Sequence, residues 1–190
     1  MEENKIKDLE AQIELLMKMV GNNLTNNNVQ DADTSIAFES LSLSPLYLST
    51  KGNGKGEIYF FENFGDVQNI PLSDAREIVR NNKSFVQNGL VYIKDANFVA
   101  KENLKKYYNN LIDADGMRNL LLCKRQEFGN RFSKISKVQQ ETICGMIFDK
   151  LKENKKVDEE ILFYIQNYFD KNLKEEVANL QLLMKDDDAN

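Results

Sequence analysis

The sequence predicts an α+β protein that is mainly helical, with a small antiparallel β-sheet and short helices followed by a C-terminal helical bundle. Three observations lead to this prediction. Between residues 46 and 93, short runs of aromatic and β-branched residues are separated by turn signals, as strands are. Beyond residue 95, apolar residues recur at spacings of three and four, which indicates amphipathic helices. The same helical spacing marks the N-terminal twenty residues.

The N-terminal segment, residues 1–21, has the clearest apolar periodicity. Its stripe consists of Ile6, Leu9, Ile13, Leu16 and Val20. Isoleucine or valine stands at each a position and leucine at each d position, a combination that favours parallel two-stranded coiled coils. Because so short a helix is marginal alone, docking of the helix on its own domain is the alternative. This N-terminal stripe is therefore the predicted oligomerisation or helix-docking site.

The rest of the chain divides into four further parts. Gly21 is a natural helix end, and the polar, Asn-rich residues 22–44 after it are expected to form a flexible linker. Residues 45–112 are expected to form a small α/β unit and residues 113–185 a helical bundle. Residues 186–190 are an acidic tail.

The α/β unit is expected to contain two hairpins, then a short helix and a further strand at residues 90–93. Ser73 is the expected N-cap of that helix and Gly89 the residue that ends it. In the bundle, Asp113 or Asp115 is expected to cap one helix and Asp158 to open another.

Composition disfavours catalysis. The chain contains no histidine, which excludes Ser-His-Asp and Cys-His nucleophile systems and histidine-based zinc sites within it. The loop Gly52–Gly56 contains a Gly-Lys pair but lacks the hydroxyl residue and the following helix of a phosphate-binding loop, so it is interpreted as a hairpin turn. We therefore predict no catalytic residue, no cofactor and no metal, and a protein that is not an enzyme.

The formal charge of −5 provides no overall basic field, so nucleic-acid binding is disfavoured. Arg76 and Arg80 form one local basic cluster, and a second lies around Phe128; a charged face paired with carboxylates is the preferred interpretation of both. With Tyr59 and Phe64, predicted to be exposed aromatics, Arg76 and Arg80 form the candidate partner surface. No apolar run has the ~20 residues needed to cross a bilayer.

Three short motifs follow one another in the α/β unit. The first is Phe61-Glu62-Asn63-Phe64-Gly65, the second runs from Ile70 to Asp74, and the third comprises Phe85, Gly89, Tyr92 and Ile93. In these motifs the chain resembles a family of uncharacterised proteins of tailed bacteriophages. The resemblance covers about residues 46–112 and implies a phage source, but it brings no catalytic residue with it.

These observations predict a non-enzymatic phage structural or assembly protein that acts through protein–protein contacts. Its expected partners are phage structural proteins, copies of itself, or both, without a membrane. The alternative is a phage-encoded regulator or inhibitor that binds a host enzyme in the host cytoplasm. The expected location is the virion, or the host cytoplasm during infection.

Overall fold

The computed structural model describes residues 34–187 and confirms the predicted α+β class. The strands in this range are β1 (Ser35–Ser40), β2 (Leu46–Lys51), β3 (Lys55–Phe61), β4 (Val67–Pro71) and β5 (Val91–Ile93). The first five helices are α1 (Leu72–Asn81), α2 (Lys83–Asn88), α3 (Ala96–Lys101), α4 (Lys105–Tyr108) and α5 (Ala114–Leu120). The remaining helices are α6 (Arg125–Phe132), α7 (Lys137–Lys152), α8 (Glu159–Phe169) and α9 (Leu173–Asp187).

The strands form two antiparallel sheets, one in the order β4-β1-β5 and the other a β2-β3 hairpin. The central strand, β1, lies inside the predicted linker 22–44, so that prediction was wrong for Ser35–Ser40. Ile36 and Phe38 are buried on either side of the less buried Ala37, and they pair with Ile70 and Ile93 respectively. This apolar pattern is typical of a strand, but it is short and lies between polar residues, so the sequence did not predict β1.

The predicted second hairpin was also wrong, because β4 pairs with β1 and not with β3. The loop between β2 and β3 is confirmed as a hairpin turn, with a single 3-10 turn at Gly52–Gly54. Positive φ angles at Gly54 and Gly56 explain the glycines in this loop.

Two of the three predicted helix caps are present. Asp113 accepts a hydrogen bond from Gly116 N, and Asp158 accepts from the backbone at the start of α8. Ser73 is not a cap, because α1 begins earlier, at Leu72, whose N–H donates to the Thr34 carbonyl. The carbonyl of Thr34, the residue just before β1, therefore satisfies one of the free N–H groups at the start of α1.

The buried apolar residues fall into two clusters. The first core lies between the sheets and helices α1–α4, and the second lies among helices α5–α9. Gln139 of α7 binds the backbone of Ile112, in the segment between α4 and α5: its amide nitrogen donates to the Ile112 carbonyl, at 2.8 Å, and its amide oxygen accepts from Ile112 N, at 3.1 Å. Gln139 is fully buried, so this pairing satisfies an amide that would otherwise be costly.

Gly89 ends α2 in a left-handed conformation with φ of 81°, so the sequence predicted this helix end correctly. The single helix predicted between Ser73 and Gly89 is wrong, because the chain breaks at Asn82 into α1 and α2. A β-carbon at this position would lie 2.6 Å from Leu111 Cδ2 and 2.8 Å from Gln139 Nε2. We expect Gly89→Ala to lower the free energy of unfolding by about 2–3 kcal/mol, since it adds backbone strain and disturbs the Gln139 pairing.

Urea denaturation would measure this loss. Gly52→Ala is the matched control, because a β-carbon at Gly52 meets nothing within 4 Å, and it should change the unfolding free energy by less than about 0.5 kcal/mol. Equal effects of the two changes would contradict the role assigned to Gly89.

Candidate partner-binding surface

The β2-β3 hairpin presents three large apolar side chains to solvent. Tyr47, Ile58 and Phe60 are 61%, 53% and 41% exposed, and we call them the hairpin face. Because side chains alternate along a strand, Leu48 and Phe61 point the other way, into the first core. Tyr47 and Phe60 are paired across the strands, and their rings stack with centroids 4.7 Å apart. The hairpin face is thus held in one position by the buried residues behind it.

Side-chain amides cover backbone carbonyls at the edges of this hairpin. Asn81, the last residue of α1, donates from its side-chain amide to the Thr50 carbonyl at 2.6 Å. Asn82, which follows it, donates to the Ser49 carbonyl at 2.9 Å. On the other strand, Gln68 donates to the Phe60 carbonyl, at 3.1 Å. Covered edges resist the addition of a further strand. The part of the hairpin that stays open to solvent is therefore its side-chain face.

Tyr59 and Phe64, which the sequence predicted to be exposed, are only half exposed and already have partners. The Tyr59 hydroxyl donates to Asp74 Oδ2 at 2.7 Å. Burial and this hydrogen bond raise the Tyr59 pKa well above its ordinary value of 10.0. Phe64 packs against the second core, and the Arg118 guanidinium lies 5.2 Å from its ring centroid.

Strand phase explains why Tyr59 is less exposed than the sequence predicted. Phe61 is buried, so its neighbour Phe60 must point outward and Tyr59 inward. The run of three aromatic residues does not itself reveal this phase, because all three suit either side of a strand. The pairing of Tyr47 with Phe60 could have been found only from the register of the hairpin.

Arg76 and Arg80 lie on α1 beside a shallow depression of about 250 Å³, together with Lys83 and Glu102. The Arg76 Nε atom is 3.5 Å from Glu102, and Arg80 is 2.9 Å from Glu77. These pairs support the interpretation of a charged face balanced by carboxylates.

The second basic cluster lies on α6, against the second core. There Arg131 pairs with Glu127 at 3.3 Å, and the Arg125 guanidinium lies 4.4 Å from the Tyr164 ring centroid. Both arginines are therefore engaged in contacts within the protein. The α1 and α6 clusters belong to different parts of the fold, so they do not form one basic surface.

The two cysteines are free thiols, Cys144 buried on α7 and Cys123 half-buried after α5. Burial raises the pKa of both, and the hydrogen bond with Glu127 raises that of Cys123 further. The thiol, not the thiolate, therefore dominates at neutral pH, so neither side chain is activated as a nucleophile.

The N-terminal stripe lies outside the described residues 34–187. None of the helices in that range is both long and apolar enough to cross a bilayer, and no cluster of three potential metal ligands occurs there. Comparison with known proteins finds no matching family model, curated protein or solved structure. The resemblance to phage proteins accordingly stays a hypothesis.

Proposed function

We propose that this protein is a non-enzymatic bacteriophage structural or assembly protein that acts through protein–protein contacts. The observation that carries the proposal is the hairpin face, where Tyr47, Ile58 and Phe60 stand exposed side by side. The phage assignment rests on the motifs of the α/β unit.

The hairpin face has the properties of a docking site. Aromatic residues supply large contact areas and are enriched at interfaces. Burial of apolar surface contributes about 25 cal/mol per Å². The stacked pair of Tyr47 and Phe60 is already ordered, so binding loses little side-chain entropy.

The N-terminal stripe supplies the second contact in this proposal. It pairs with the same segment of another copy, as the pattern of isoleucine or valine at a and leucine at d favours. The segment joins the described fold at Thr34, whose carbonyl accepts from Leu72 N at 2.9 Å. Pairing of the N-terminal segments would hold two or more hairpin faces in one assembly. Because several faces could then bind at once, binding to a partner with repeated sites, such as a phage particle, would be stronger.

Self-association tests the N-terminal contact. We expect Leu9→Glu combined with Leu16→Glu to convert the protein to a monomer, because both changes place charge in the apolar seam. Light scattering over a range of concentrations would measure the mass. The matched control is Leu182→Glu with Leu183→Glu, two exposed leucines of α9, which should leave the mass unchanged. An unchanged mass in the Leu9/Leu16 variant would contradict oligomerisation through the stripe.

The hairpin face and the phage assignment are tested by capture. Tagged protein expressed during phage infection should enrich phage structural proteins, and Phe60→Ser should reduce this enrichment about tenfold. Phe163→Ser, at an exposed phenylalanine of α8, is the control and should leave it unchanged. Mass spectrometry of purified virions should detect the protein. Absence from virions together with capture of one host enzyme would overturn the structural assignment in favour of a host-directed regulator.

A further inference from the structure

A second surface, independent of the hairpin face, lies along α7. It is a groove of about 660 Å³ between α7 and the segment that joins α8 to α9, and we call it the α7 groove. Its apolar part comprises Leu43, Cys144, Phe148, Phe169 and Leu173. This volume is within the usual range for ligand-binding clefts.

One face of α7 forms the floor of the groove. The residues that line it are adjacent in sequence or are three or four positions apart: Glu141, Cys144, Gly145, Phe148 and Asp149. Residues so spaced lie on one side of a helix. The absence of a side chain at Gly145 leaves space that Leu43 fills, since a β-carbon there would overlap Leu43 Cδ1. Leu43 itself remains 39% exposed at the rim.

The rim of the groove is predominantly acidic. Glu141, Asp149 and Glu176 are exposed along it, with Lys171 as the one basic residue among those that line it. None of the three carboxylates belongs to an ion pair formed within residues 34–187. An apolar floor with an acidic rim is complementary to a segment that carries both apolar and basic side chains.

The N-terminal segment of this chain does not have that chemistry. Residues 1–33 contain three lysines and seven acidic residues, so their charge has the same sign as the rim. Like charges oppose docking. The charge of residues 1–33 therefore argues against this segment as the occupant of the groove.

We propose that the α7 groove binds a basic amphipathic segment of a partner protein. A large apolar side chain of that segment sits between Phe148 and Phe169, and its lysines or arginines face Glu141, Asp149 and Glu176. Leu43 contacts the same apolar side chain from the rim. This site does not depend on the hairpin face or on the N-terminal stripe.

Selection from a random peptide library on the immobilised full-length protein tests the proposal. Enriched peptides should combine a large apolar residue with two or more basic residues. Glu141→Lys with Asp149→Lys should weaken their binding at least about tenfold, as measured by fluorescence anisotropy. The same charge change on β3 and just after it, Glu57→Lys with Glu62→Lys, is the control and should change affinity less than about twofold.

A milder variant guards against misfolding. Glu141→Gln with Asp149→Asn keeps the side-chain shapes, and it should weaken binding less than the lysine variant while leaving the urea midpoint unchanged. The proposal is overturned if no peptide is enriched, if the enriched peptides lack basic residues, or if they bind the lysine variant and the wild type equally. It is also overturned if the lysine variant lowers the mass of the purified protein, since the occupant would then be a second copy.

Discussion

Replacing Phe132 with alanine is expected to lower the free energy of unfolding by about 3–5 kcal/mol. Phe132, at the end of α6, is fully buried in the second core. Its ring lies 5.2 Å from that of Phe128, 5.8 Å from Tyr164, 5.1 Å from Tyr168 and 6.3 Å from Phe169, between centroids. Alanine would leave a cavity and remove the edge-to-face contacts that join α6 to α8.

Urea denaturation followed by circular dichroism would measure the effect. Phe163→Ala is the matched control on α8, because Phe163 is 64% exposed, and its effect should stay within about 0.5 kcal/mol. A loss below about 1 kcal/mol for Phe132→Ala would contradict the described packing of the aromatic cluster. Since Phe169 contacts Phe132 and also lines the α7 groove, Phe132→Ala should weaken peptide binding as well.

Replacing Lys94 with methionine is expected to lower the free energy of unfolding by about 2–3 kcal/mol. Glu39 on β1 is only 3% exposed, and Lys94 Nζ lies 2.9 Å from its Oε1. Ala114 N donates to the other carboxylate oxygen at 3.1 Å. Methionine would leave a buried carboxylate without its cation. Because the Lys94 side chain is 40% exposed, water would partly replace the lost partner, so the loss is smaller than for a fully buried pair.

A double variant distinguishes two causes of instability in Lys94→Met: the unpaired charge of Glu39 and the lost packing of the aliphatic part of Lys94. Glu39→Gln combined with Lys94→Met removes both charges, and the glutamine can still accept from Ala114 N. We therefore expect it to recover most of the stability lost in Lys94→Met. If both variants are equally unstable, the buried charge is not the cause.

The Lys94 pair also sets a pH dependence. Its hydrogen bond with Glu39 raises the pKa of Lys94 above the ordinary value of 10.5, despite the opposing effect of burial. A raised pKa in the folded state means that the stabilisation is complete below the pKa of the unfolded lysine and is lost as pH rises through the folded pKa. As the pH is raised above the ordinary lysine pKa, the free energy of unfolding should therefore fall more steeply for the wild type than for Lys94→Met.

Local patterns predicted those elements that depend on neighbouring residues. The turn at Gly52–Gly54, the cap at Asp113 and the end of α2 at Gly89 each follow from the conformational preference of one or a few residues. The class of the fold follows in the same way from the change in apolar spacing after residue 95.

Features that join distant parts of the chain could not be predicted in this way. The pairing of β1 with β5 joins Phe38 to Ile93, and nothing local to either residue specifies the other. The direction in which Tyr59 points depends on the hairpin register and on the position of the first core. The α7 groove needs Leu43 and Leu173 beside the same face of α7, which only the tertiary structure provides.

The central position of β1 has a consequence for folding during translation. Ser35–Ser40 leaves the ribosome before both of its partner strands, and the second partner ends only at Ile93. Until then, Ile36 and Phe38 have no completed sheet to cover them, and contacts so far apart in sequence close slowly. The nascent chain thus exposes an unpaired apolar strand while β4 and β5 are still being synthesised, the stage at which chaperone binding would protect it most.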